Sequence, residues 1–272
     1  MYSYERPQVM GIINATPDSF YADSRCPTRD DIRVAALRMM EQGVDMFDLG
    51  AYSTRPGASE VGEDEELRRL DMAVSEVRKA GPDIPVSIDT FRAGVARRAV
   101  LEMGADIIND VSGGDLDEEM FSAVAELKVP YVLMHMRGTP DTMQQLTDYD
   151  DVTAEVIADL QSKIVKLSAA GVSDIIADPG FGFAKTLEQN YELLRNIGLM
   201  SVLNRPLLIG MSRKSMIFKA LSKTAADSLE GTVAANTIAL LQGASILRVH
   251  DVGAAVDALK IVMNTYPNGN LQ

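Results

Sequence analysis

Cysteine and histidine are scarce in this chain of 272 residues: Cys26 stands alone, and His135 and His250 are the two histidines. One cysteine excludes an intramolecular disulfide, and one cysteine with two histidines cannot build a Cys/His metal cage. Positive charge is short as well. Lysine and arginine total 26 against 39 aspartates and glutamates, a formal net charge of −13. That balance argues against a general nucleic-acid binder, which needs a basic stripe, and against docking on an anionic membrane surface. It leaves room for an anionic small substrate, because a local cluster of Arg and Lys overrides the global field at short range. No apolar run approaches the roughly 18 residues that cross a bilayer. Residues 1–10 are polar and contain Pro7, so no signal peptide is expected. The expectation is a soluble, cytoplasmic protein.

What the chain has instead is apolar residues in a repeating arrangement. Hydrophobic residues make up 46%, enough for the core of one large α/β domain. Short apolar runs recur at 9–14, 46–50, 86–89, 106–110, 131–136, 174–178, 206–211 and 246–250. They are near-continuous rather than alternating, which suits parallel strands covered by helices on one side and by a barrel core on the other. Helical patterns lie between them. Thr28-Arg-Asp-Asp31 is a near capping box, and Ile32, Ala36, Met39 and Met40 follow on one face up to Gly43. Residues 63–79 carry acidic residues in their first turn and stop at Gly81-Pro82. Further helices are expected at 92–103, 117–127, 152–170, 187–197, 228–241 and 254–263. Residues 212–243 exceed one helix and predict two. The 15 methionines read as core filler.

Eight strand–helix repeats predict a single-domain (β/α)8 barrel over residues 1–272. A doubly wound sheet is the alternative, but no Gly-rich turn follows the first strand, where Asn14-Ala-Thr-Pro-Asp-Ser-Phe20 has no glycine. Barrel enzymes place their chemistry at the C-terminal ends of the strands, and polar residues gather there. In order, the ends read Asn14, Ser53-Thr-Arg-Pro-Gly57, Asp89-Thr90, Asn109-Asp110, His135-Met-Arg137, Asp178-Pro-Gly-Phe-Gly-Phe183, Ser212-Arg-Lys-Ser215 and Arg248-Val-His250. Any one of them is explained as turn formers; eight together point to a site. Arg248 and His250 alternate with Leu247 and Val249, so they share a face and predict a cationic pair at the barrel mouth. Lys214 and Ser215 begin a helix, a natural anion site. Asp89, Asn109 and Asp178 suit the edge of a flat, nitrogen-rich heterocycle, since carboxylates accept two N–H bonds and an amide both donates and accepts; a structural polar layer would look the same. His135 is expected to be a satisfied, orienting histidine outside the site.

These segments, in this order and over nearly the whole chain, resemble the dihydropteroate synthases of the folate pathway. The resemblance implies attack of the 4-aminobenzoate amine on the hydroxymethyl carbon of a dihydropterin diphosphate, releasing diphosphate with Mg2+ assisting. It implies that Asp89, Asn109, Asp178 and Lys214 hold the pterin. It implies that Asn14, Arg248 and His250 hold the diphosphate, with Asn14 also contacting Mg2+, and that Thr54, Arg55, Pro56, Phe183 and Ser215 form the aminobenzoate pocket. Asn14, Arg55, Lys214, Arg248 and His250 are the catalytic candidates. A homodimer built from the later helices is implied too. One departure stands in the first loop: the family continues Pro-Asp-Ser-Phe with Ser-Asp-Gly-Gly, whereas here Tyr21-Ala-Asp-Ser-Arg25 places Asp23 one position later and has no glycine. The methyltetrahydrofolate-binding barrel of corrinoid methyltransferases shares the Asp/Asn/Asp set but needs neither Ser-Thr-Arg-Pro-Gly nor Arg-Val-His. A barrel kept only as an interaction partner is the other alternative.

Overall fold

Along each strand, one set of apolar side chains faces helices and the other faces the barrel axis, so both faces of the strand are buried. The computed structural model describes residues 6–16, 26, 28–52 and 61–267. Its strands are β1 (Gln8–Asn14), β2 (Met46–Gly50), β3 (Val86–Asp89), β4 (Ile107–Asp110), β5 (Tyr131–Met134), β6 (Ile175–Asp178), β7 (Leu208–Ile209) and β8 (Ile246–Val249). All pair in parallel, in the order β6-β5-β4-β3-β2-β1-β8-β7. The seam between β6 and β7 is closed by one bridge, Ala177 to Leu207, with the Ala177 N–H donating to the Pro206 carbonyl at 2.9 Å. The predicted (β/α)8 barrel is the observed fold.

Outward residues such as Val9, Phe47, Leu49, Ile88, Ile108, Leu133 and Leu247 join the large core beneath the helices. Met10, Met46, Ile107, Val132, Ile176, Leu208 and Ile246 form a separate apolar cluster inside the barrel. Two residues further along four of these strands, on the same inward face, stand Asp48, Asn109, Asp178 and Arg248. A packed apolar floor therefore carries a polar layer at the C-terminal end of the strands.

The helices are α1 (Arg29–Glu41), α2 (Glu63–Ala80), α3 (Ala93–Leu101), α4 (Met120–Leu127), α5 (Val152–Ala169), α6 (Leu187–Arg195), α7 (Ser215–Ala220), α8 (Leu229–Leu241) and α9 (Val252–Thr265). The predicted cap of α1 is present: the Asp31 N–H donates to Thr28 Oγ1 at 3.2 Å, and the Thr28 N–H donates to Asp31 Oδ2 at 3.2 Å. Residues 212–243 hold two helices, as their length required. α4 begins at Met120 rather than at 117 because Asp117 serves another element. Its carboxylate accepts the Ala93 N–H at 2.7 Å, capping α3. β7 spans two residues instead of the expected six; Pro206, at its N-terminal side, has no N–H to donate. Past α6 the chain tightens into a 3-10 segment, Ile197–Leu203, where a continuing helical end was expected.

Gly11 marks where α1 and α9 close on β1. A Cβ there would lie 2.7 Å from Met39 Sδ and 3.1 Å from methyls of Val44 and Val252. Gly11→Ala is expected to lower unfolding stability by about 1–3 kcal/mol through overpacking. Chemical denaturation checks this, and an unchanged midpoint would show that Met39 moves aside freely.

Candidate active site

One cavity of about 270 Å³ opens among the C-terminal strand ends. It is lined by Asn14, Asp89, Asn109, Asp178, Phe183, Lys214, Ser215, Arg248 and His250, among others. Every described residue singled out from the sequence as a ligand-binding candidate thus borders the same space. Thr54, Arg55, Pro56 and Asp23 lie outside the described residues.

Arg248 fixes the base of this cavity. Its Nε donates to Asp48 Oδ2 at 2.7 Å and its Nη2 to Asp89 Oδ2 at 2.7 Å. Burial opposes the charge, but Asp48 and Asp89 more than offset it and hold the guanidinium protonated. Burial also holds Asp89 above the usual carboxylate range, reinforced by Asp48 and relieved in part by Arg248. The Asn109 amide donates to both Asp48 oxygens at 3.3 Å, so its Nδ2 is committed. Asp48 was not among the sequence candidates. It is fully buried in the middle of β2 rather than at a strand end; its alternation with Phe47 and Leu49 is the mark it leaves in the sequence.

The expected cationic pair of Arg248 and His250 is not one. Burial, then the neighbouring guanidinium of Arg248, pushes His250 down to about 3, so its imidazole is neutral near pH 7. The His250 N–H donates to Ser212 Oγ at 3.2 Å, and Nδ1 lies 3.0 Å from the same hydroxyl oxygen. Around the cavity base, the carboxyl groups of Asp48, Asp89 and Asp178 stand with the cations Arg248 and Lys214.

Lys214 caps α7, and its ammonium donates to the Phe181 carbonyl at 2.7 Å. It also sits 4.7 Å from the centre of the Phe183 ring. Burial pushes it down to about 8 against the pull of Asp178. Its place is set by Arg213, which has a left-handed backbone (φ 54), a strained state for this residue type. The Arg213 guanidinium holds Asp251 through two bonds of 2.7 and 2.9 Å, and donates to the Ala225 and Ala226 carbonyls at 2.7 and 2.5 Å. The flanking structure thereby over-determines the turn that aims Lys214.

Asp178 accepts the Gly180 N–H at 2.8 Å; burial raises its pKa, opposed by Lys214 and by that N–H. Gly180 has φ 69, and a Cβ there would lie 2.0 Å from the His135 carbonyl oxygen, so only glycine fits. Met134, Met136, Met143, Val111 and Ala184 make an apolar wall on which Phe183 packs. His135 is buried away from the cavity lining, as expected, and burial with Lys185 nearby drives it down to about 2. Asp110 takes a scaffolding role. It accepts the Tyr131 hydroxyl at 2.7 Å and the N–H groups of Ser112 and Gly114 at 2.8 Å each. Burial raises the Cys26 thiol to about 11, which leaves it unreactive.

The pterin binding enzyme family matches residues 10–250. A dihydropteroate synthase of Synechocystis sp. is 43% identical over 260 residues, covering 94% of this chain and 89% of that protein. The crystal structure of Yersinia pestis dihydropteroate synthase with a sulfonamide drug complex superposes with a TM-score of 0.92 at 40% identity, covering 98% and 96% of the two chains. That of Burkholderia cenocepacia dihydropteroate synthase complexed with 7,8-dihydropteroate gives 0.86 at 39% identity, covering 99% and 95%. The chain belongs to the pterin-binding enzymes and, within them, to the dihydropteroate synthases. It is a transferase of folate biosynthesis that condenses 6-hydroxymethyl-7,8-dihydropterin diphosphate with 4-aminobenzoate to 7,8-dihydropteroate and diphosphate.

The Asp48–Arg248 pair predicts a stability effect. Asp48→Asn removes one of two carboxylates from a buried guanidinium, and unfolding free energy is expected to drop by about 1–3 kcal/mol. Guanidinium chloride titration tests this; an unchanged free energy would mean that Asp89 alone holds Arg248.

Proposed function

We propose that this dihydropteroate synthase divides its cavity into three sectors. Asp89, Asn109, Asp178 and Lys214 hold the pterin. Asn14, Arg248 and His250 hold the diphosphate. Phe183 and Ser215, with Thr54, Arg55 and Pro56 of the loop after β2, take the 4-aminobenzoate. The observation that supports this most is that one cavity is bordered by carboxylates and an amide from β3, β4 and β6, by cations from β8 and the start of α7, and by an aromatic ring.

The chemistry asks little of any one side chain. The C–O bond to diphosphate breaks, the arylamine nitrogen bonds to the same carbon, and the amine then loses a proton. A weakly basic arylamine needs no strong base, and the ring next to the carbon stabilises the cation left by diphosphate departure. The residues must hold both reactants in line and exclude water. Buried Asp89 and Asp178 gain by accepting heterocycle N–H groups, because such bonds favour the charged form that burial disfavours. Arg248 can swing part of its hydrogen bonding to the diphosphate while Asp48 keeps it anchored.

The family resemblance implies Mg2+, and the donor set suits it. The space above Gly50, where a side-chain carbon would sit, lies 3.4 Å from Asn14 Oδ1 and 3.9 Å from Asp89 Oδ2. Oxygen donors of this kind fit a hard cation that takes most of its other ligands from water and phosphate. Asn14 would hold it, and when bound it neutralises charge on the leaving diphosphate. Activity in excess chelator is expected to fall to background and to return with Mg2+; full activity without added divalent cation would refute the assignment.

We further propose a homodimer through the later helices and a cytoplasmic location. Ile238 on α8 and Ile261 on α9 are 43% and 66% exposed, and no helix among the described residues is long and apolar enough to cross a membrane. Light scattering should give about twice 29.5 kDa, and Ile261→Glu should shift it toward the monomer.

Two kinetic outcomes follow from the cation assignments. Lys214→Ala and Arg248→Ala should each lower kcat/KM for the pterin diphosphate by about 10²-fold or more, as loss of a charged contact to substrate does; normal kinetics in both would refute the anion site. Lys214 is charged below its lowered pKa, so the same kcat/KM should decline as pH rises through about 8. That limb should vanish in Lys214→Ala.

A further inference from the structure

The segment from Pro179 to Ala184 carries the Phe183 ring and the carbonyl that seats Lys214, and its backbone is unusual. Gly180, Gly182 and Ala184 all have positive φ, at 69°, 82° and 49°. One internal bond, from the Phe183 N–H to the Gly180 carbonyl at 3.2 Å, closes the turn, and left-handed residues at alternate positions gain from further support outside the segment. Lys185 supplies it. It is 4% exposed, and its ammonium donates to the Gly180 carbonyl at 2.9 Å and the Phe183 carbonyl at 2.9 Å, with His135 Nδ1 at 3.1 Å. Burial lowers Lys185 to about 7 against the pull of Asp178; in its charged form it has only protons to offer, so Nδ1 is then the acceptor, which fits a neutral His135. Asn190 on α6 completes the clamp from the other side. Its Oδ1 accepts the Gly182 N–H at 2.7 Å, while its Nδ2 donates to the Thr186 carbonyl at 2.6 Å and the Lys185 carbonyl at 3.3 Å.

Among the described residues Lys185 forms no ion pair within contact distance, although it is buried. Taking a lysine out of water without a carboxylate in contact is costly, and its presence calls for a purpose beyond packing. It does not border the cavity, so it meets no substrate. What it touches is the two ends of the turn, Gly180 and Phe183, and so it sets the distance between the β6 end and the ring.

We infer that Lys185, assisted by Asn190, is a positioning residue for the second substrate: it holds the Gly180–Phe183 turn in its left-handed form so that the Phe183 ring stands ready against 4-aminobenzoate. The inference rests on the placement of Phe183 in the aminobenzoate sector. Asp89 and Asn109 stand on strands away from the turn, while Asp178 and Lys214 bond it through the Gly180 N–H and the Phe181 carbonyl, so the 4-aminobenzoate KM is read at saturating pterin diphosphate.

Steady-state kinetics of Lys185→Met test this. A ring that is no longer pre-set weakens uniform binding, so KM for 4-aminobenzoate should rise at least about tenfold while kcat at saturation stays within about threefold. Phe183→Ala should raise the same KM, and Lys185→Met should add little in the Phe183→Ala background, because both act through one ring. A variant that merely lost stability would show a lower apparent kcat at unchanged KM, and that result would overturn the inference. If Phe183→Ala raises the KM and Lys185→Met does not, the positioning role fails and the pocket stands. If Phe183→Ala also leaves it unchanged, the aminobenzoate sector itself is misplaced. Asn190→Ala should show the same KM-against-kcat split and carries the test if Lys185→Met does not fold.

Discussion

A guanidinium that cannot lose its proton sits at the base of the cavity, and the polar layer is arranged around that fact. Arg248 enters from β8 and reaches Asp48 on β2 and Asp89 on β3, passing the intervening β1. A buried, permanently charged group is tolerated only if paired. Both carboxylates are therefore held where the pair needs them, and Asn109 is oriented in turn because its amide hydrogens go to Asp48. The apolar cluster beneath, from Met10 to Ile246, keeps water from entering below and so makes the pairing matter. Neutral His250 and lowered Lys214 follow from the same crowding of charge in little solvent.

The two turns that bring further groups to the cavity are built on another principle. Neither the Gly180–Ala184 turn nor Arg213 is relaxed in isolation. Each is pinned by a buried basic side chain that hydrogen-bonds several backbone carbonyls, Lys185 in one case and Arg213 in the other. Lys214 then links the two by bonding the Phe181 carbonyl. Strands carry Asp48, Asp89, Asn109, Asp178 and Arg248, and the two pinned turns carry the Lys214 ammonium and the Phe183 ring.

Much of this was legible in the sequence because parallel strands buried on both faces leave continuous apolar runs, and because helix caps and stops have local chemistry. The capping box at Thr28 and the split of residues 212–243 came through for that reason. Asn14, Asp89, Asn109, Asp178 and His250 were visible because they interrupt apolar runs at their ends. Asp48 was hidden by being inside a run. Lys185 and Asn190 were hidden because their partners are backbone carbonyls and N–H groups, which leave no mark on residue identity. The charge of His250 could not be read from its neighbours in sequence, since desolvation depends on what packs around it in space.

The shortness of β7 gives the barrel an uneven seam. Seven of the eight strand junctions are ladders, while β6 and β7 meet through the single bridge at Ala177 and Leu207. A cylinder hydrogen-bonded almost all the way round has its softest hinge there, so slow breathing should part β6 from β7 first. That seam lies between Asp178 and the Ser212–Ser215 turn, the two places from which the Phe183 ring and Lys214 are hung. Parting there would displace the Phe183 ring and Lys214 and leave the ladders from β8 through β1 to β3, which hold Arg248 and its carboxylates, intact.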